Sequence, residues 1–123
     1  MPKKNPDNVN VSHISISAGM EYCMNDTGFY KEMLGTFLSE SPVKRENLET
    51  ALKNGDIKQY TVNIHGLKST SKTIGAVMLP DMALRLELAG KEERFDEIQS
   101  GHAEVMNEYE AVLSAAEELI KTL

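Results

Sequence analysis

The last third of the chain constrains the fold most. From Phe95 to the C-terminus, residues suited to burial recur roughly every 3.5 positions, at Ile98, His102, Val105, Tyr109, Val112, Ala116, Leu119 and Leu123. A seam of that period belongs to a long helix lying nearly parallel to its neighbours, so the rest of the chain must supply helices to cover it. Asp26 is placed as the N-cap of one such helix, with apolar residues at Phe29, Tyr30, Met33, Leu34, Phe37 and Leu38. Pro42 interrupts this pattern, which resumes at Leu48, Ala51 and Leu52 and stops at Asn54 and Gly55, giving one kinked helix or two in series. Asp56 caps the next, whose stripe of Ile57, Tyr60, Ile64, Leu67, Ser71 and Ile74 ends near Gly75. A further helix runs from about Val77 to Gly90, with Pro80 in its first turn and Leu79, Met82, Ala83 and Leu86 along one side. Leu84 and Leu88 widen that side and suggest contact with more than one neighbour. A short helix is expected over residues 17–23.

No stretch alternates with period two for long enough to require a sheet, and the connections are short. The expected fold is therefore all-α: an antiparallel four-helix bundle with a short extra N-terminal helix, over residues 14–123. Residues 1–13, rich in Lys, Pro, Asn and Asp, read as a flexible lead containing His13. With 123 residues there is room for one domain. A net charge of -6 and the lack of Trp disfavour nucleic acid, which needs clustered cations and stacking surfaces. Neither a signal peptide nor a membrane-length apolar run is present, so a cytoplasmic, monomeric chain that does not enter the membrane is expected. Cys23 has no second cysteine to pair with and is read as a half-buried packing residue. His102 falls on the core seam, and the three histidines lack metal-ligand spacing, so no bound metal is expected.

The chemistry concentrates in residues 60–76. At about 100° per residue, His65 projects roughly 135° from the centre of the apolar stripe and so faces water. Thr61, Lys68 and Lys72 share its side of the helix. An exposed neutral imidazole suits an incoming phosphoryl group, and nearby ammonium groups would balance the phosphate while repelling a proton from the ring. Val62, Gly66, Ser69 and Thr73 keep the exposed side low, as a partner's concave active site would require. Gly66 stands out, because glycine within a helix costs about 1 kcal/mol against alanine.

The run from His65 through Leu67, Lys68, Ser71 and Gly75 to Ala76 resembles the signature of histidine-containing phosphotransfer (HPt) domains, His-x-Leu-Lys-Gly-x-Ser-x-x-x-Gly-Ala. Six fixed residue types at set offsets arise by chance on the order of once in 10⁷ start points. Leu86-Glu87 followed by Ala89, Gly90 and Lys91 is similar to the family's Leu-Glu-x-Ala segment, and the likeness spans about residues 14–122. The one departure is Ser69, where the family usually has Gly. The resemblance implies that His65 takes a phosphoryl group from an aspartyl phosphate on one receiver domain and returns it to another, the partners being response regulators or hybrid histidine kinases. Lys68 would neutralise the phosphate, with Lys72 and Ser69 in its surroundings; Thr61, Val62, Gly66 and Thr73 would meet the partner; and Leu67, Ser71, Gly75 and Ala76 would shape the helix. It further implies a carrier without kinase activity and without a cofactor of its own, Mg²⁺ residing in the receiver, and the sequence indeed has no phosphate-cradling Gly loop. The alternatives are an adaptor that binds a receiver or kinase without carrying phosphate, and a self-associating helical protein.

Overall fold

The computed structural model describes residues 13–123; apart from His13, the lead read over residues 1–13 lies outside the described residues. Five helices follow in order: α1 (Ile16–Tyr22), α2 (Thr27–Lys53), α3 (Ile57–Thr73), α4 (Leu79–Lys91) and α5 (Phe95–Thr122). Their ends obey local chemistry. Asp26 and Asp56 accept hydrogen bonds from the Phe29 and Gln59 amides at 3.0 and 3.1 Å, satisfying donors that the first turns of α2 and α3 leave open.

Pro42 does not divide α2, which is one continuous 27-residue helix. The proline removes the amide that would have bonded the Leu38 carbonyl, and the Ser41 hydroxyl donates to that carbonyl at 2.8 Å instead. The long helix thus keeps its acceptor satisfied at the point where the sequence pattern breaks.

Helices α2, α3, α4 and α5 form a closed ring in which each packs against two neighbours, α2 and α4 both lying against α3 and α5. Ile98, His102, Val105, Tyr109, Val112, Ala116 and Leu119 of α5 are all buried within it, and Leu123 closes its end half-buried. Helix α4 packs against both α3 and α5, but Leu84 and Leu88 themselves stay exposed rather than being shared between those neighbours. Cys23 is fully buried, and burial, reinforced by the Asp26 carboxylate, pushes its thiol above the ordinary range.

One end of the ring is closed by α1 and the residues before it. Ile14 forms an antiparallel bridge with Ala76, in which Ser15 N–H donates to Gly75 O at 2.7 Å and Val77 N–H to His13 O at 2.8 Å. Gly75 turns the chain at φ +87°, and a Cβ there would overlap the Ser15 carbonyl oxygen, so glycine is required on both counts. The His13 ring reaches α5, with Nδ1 2.8 Å from Glu108 Oε2.

Candidate functional site

The apolar stripe of α3 buries Tyr60, Ile64, Leu67 and Ser71, and this leaves His65 on the opposite side with its side chain 56% exposed. Its Nδ1 lies 2.7 Å from Oε2 of Glu87, which projects from α4 and is only 2% exposed. Lys68 Nζ stands 2.7 Å from Glu87 Oε1, and Lys91 Nζ 3.3 Å from Oε2. Burial alone would raise the Glu87 pKa, but hydrogen bonds from Lys68, His65 and Lys91 outweigh it and hold the carboxyl at about 2. The carboxylate is therefore ionised near neutral pH and can only accept, so Nδ1 of His65 must carry the hydrogen between them. Whenever the ring is neutral, its lone pair is then on Nε2. One ring nitrogen is thus anchored, and the other has no hydrogen-bond partner among the described residues.

On one side of the ring, His65, Lys68, Ser69, Lys72, Pro80, Asp81 and Leu84 line a groove of about 330 Å³ between α3 and α4. On the other, Thr61, Val62, Glu87 and Lys91 line a shallower one. The exposed Leu84 thus sits where an approaching surface would meet the histidine.

Residues 32–119 match the family model for the Hpt domain. The chain belongs to the Hpt domain family. The fold also matches that of the HPT domain from an Hpt sensor hybrid histidine kinase of Shewanella, with a TM-score of 0.82 over 89% of this chain and 95% of that one, at 22% identity. The sequence matches none of the curated proteins with which it was compared. Hpt domains are phosphoryl-carrier modules rather than kinases. Among the described residues, no group of His, Cys, Asp or Glu side chains is placed to hold a metal, and no helix is long and apolar enough to cross a membrane.

This Hpt domain brings His65, Lys68, Ser69 and Lys72 together as the sequence pattern suggested, but its electrostatics differ. The charge nearest the imidazole is the Glu87 carboxylate, and Lys68 is spent on that same carboxylate rather than facing the ring alone. Val62 is exposed beside His65, whereas Thr61 and Thr73 are half-buried, Thr61 against Gly90 and Thr73 with its hydroxyl on the Ser69 carbonyl at 3.0 Å. Ser71 is buried and donates to the Lys68 carbonyl at 3.2 Å; Leu67 and Ala76 pack in the core. Among the described residues a Cβ at Gly66 would meet only Lys44 Nζ, at 3.9 Å, so none of them requires glycine there. Glu87 was missed as a site residue because spacing along α3 says nothing of α4. The available signal was its place in the Leu-Glu-x-Ala segment and a carboxylate falling on the inner side of an amphipathic helix.

Proposed function

We propose that this chain is a phosphorelay intermediate that accepts a phosphoryl group on His65 Nε2 from a receiver-domain aspartyl phosphate and passes it to another receiver. The observation that supports this reading is the hydrogen bond between Nδ1 and a buried, ionised Glu87, which would leave Nε2 of the neutral ring as the nucleophile. In the forward step the Nε2 lone pair forms the N–P bond as the acyl O–P bond breaks, and the aspartate departs as a carboxylate. The Nδ1 hydrogen stays in place, and Glu87 balances the positive charge that the ring acquires. In the return step the same ring is a good leaving group, because it departs as a neutral imidazole.

Charge neutralisation and positioning dominate phosphoryl transfer, so the receiver's acidic pocket and its Mg²⁺ supply the remainder. Lys68 and Lys91, both paired with Glu87, would supply cations beside the phosphorylated ring, and Lys72 would add a third along the groove. Val62, Gly66, Ser69 and Leu84 form the surface on which a receiver would rest; Ser69, in place of the usual glycine, adds one hydroxyl without closing the groove. Incubation with a phosphorylated receiver and Mg²⁺, followed by ³¹P NMR, should show acid-labile phosphate on His65 and none in His65→Gln. Receiver binding without any label would replace this reading with that of an adaptor.

A further inference from the structure

At Gly90, α4 lies tight against α3. A Cβ built there would overlap Thr61 Oγ1 outright and come within 3.0 Å of Thr61 Cβ. The Thr61 hydroxyl cannot turn aside freely, because it donates to the Ile57 carbonyl at 2.7 Å, and rotation about χ1 does not move Cβ at all. Gly90 lies three residues beyond Glu87 on α4, and Thr61 four residues before His65 on α3. In an antiparallel pair those are adjacent layers: the glycine contact is one helical turn from the 2.7 Å bond between Glu87 and His65.

From this juxtaposition we infer that Gly90 is a positioning residue: its lack of a side chain sets the spacing of α3 and α4 that keeps Glu87 on the His65 ring. The three partners of Glu87 differ in how they would respond to a wider spacing. Lys91 moves with α4, and Lys68 has a long flexible stem, so both can follow the carboxylate. The imidazole is short and rigid, and an outward shift of about 1 Å takes its bond past the limit of a hydrogen bond. His65 would then lose its fixed tautomer while the ion pairs survive. A second tight glycine near α4, Gly101, serves as the contrast, since a Cβ there would meet the flexible tip of Leu86, Cδ2 at 2.8 Å.

The consequence for transfer rests on the carrier reading; the geometric claim does not, and ¹⁵N NMR of the His65 ring reads it without phosphate. Gly90→Ala is expected to shift the ring nitrogens from the Nδ1–H pattern towards that of Glu87→Gln, and to slow phosphoryl uptake about tenfold or more. Gly101→Ala should leave both unchanged, and Thr61→Gly added to Gly90→Ala should restore the ring signals. A folded Gly90→Ala with wild-type ring signals would overturn the inference, as would a folded double variant that keeps the Glu87→Gln pattern. If Gly90→Ala alone does not fold, the double variant decides between the same two results. Should the carrier reading fail, the wild-type chain takes up no phosphate even though its ring signals respond to Gly90→Ala.

Discussion

His65 and His102 are each held by a glutamate, in opposite senses. At His65 the imidazole is 56% exposed and the carboxylate of Glu87 2% exposed; at His102 the imidazole is 8% exposed and the carboxylate of Glu49 58%. The remaining ring nitrogens differ in the same way. Nε2 of His65 has no hydrogen-bond partner among the described residues, whereas both nitrogens of His102 are engaged, Nε2 with Glu49 at 3.1 Å and Nδ1 with the Tyr60 hydroxyl at 2.7 Å. A buried carboxylate orients a ring and leaves its other edge for chemistry. A buried imidazole with both edges occupied joins helices: His102 of α5 links Tyr60 of α3 to Glu49 of α2. On the proposed reading, the same pair of residue types makes a nucleophile or a strut according to which member is inside.

The comparison breaks most sharply at the histidines themselves. His65→Gln should abolish phosphoryl uptake from a phosphorylated receiver while the chain stays folded. His102→Leu should keep uptake within about threefold of wild type, yet lose about 1–3 kcal/mol of stability, because the Tyr60 hydroxyl is left buried without a partner. Label on His65→Gln, or its absence from a folded His102→Leu, would reverse the assignment of the two roles.

Next in size is the effect of the buried carboxylate. Glu87→Gln leaves the two lysines without their shared counter-charge and no longer fixes the tautomer, so uptake should fall about tenfold to a hundredfold. Stability provides a second reading. Folding lowers the Glu87 pKa from 4.5 to about 2, so the unfolded chain binds more protons within that interval. The stabilisation is complete above about pH 4.5 and is lost as pH falls towards 2, with a ceiling on the order of 3 kcal/mol. Denaturant unfolding of wild type against Glu87→Gln from pH 5 to pH 2 should show the two stabilities converging; parallel curves would mean that Glu87 is not held as an ion.

How much of this was legible beforehand follows from the range of each interaction. The caps at Asp26 and Asp56, the α5 seam and the outward face of His65 depend on neighbours within one or two turns, and periodicity captures them. So does the place of His102 on the seam. The partners of the two histidines lie 22 positions away for Glu87 and 42 for Tyr60, and helix pairing rather than spacing brings them together. The lysines beside His65 were visible and its carboxylate was not, so the expected charge on the ring had the wrong nearest neighbour. Leu84 and Leu88 mark the limit of the same signal: the wide apolar face rightly implies two neighbours for α4, which packs on α3 and α5, but a pattern does not say which of its residues those neighbours cover. At Pro42 the pattern leaves one helix or two open, and the single helix observed keeps the Leu38 carbonyl bonded through the Ser41 hydroxyl, a repair that depends on rotamer.

The smallest effects belong to the strut and sharpen the contrast. Tyr60→Phe removes one side of a buried hydrogen bond and should cost about 1 kcal/mol in thermal or denaturant unfolding, with uptake unchanged. Glu49→Gln should cost less still, about 0.5 kcal/mol or below, because its carboxylate is largely in water and a neutral amide can accept from His102 Nε2 equally well. Chemically this is the substitution made at Glu87, from carboxylate to amide beside a histidine, yet the expected outcomes differ from near silence to the loss of most transfer. Burial explains the gap: water screens Glu49 and replaces what it loses, whereas Glu87 faces three donors with no solvent to substitute for it. A Glu49→Gln variant that slowed uptake as much as Glu87→Gln would show that the two sites are coupled through α3, along the turn between Tyr60 and His65, and that the strut also tunes the nucleophile.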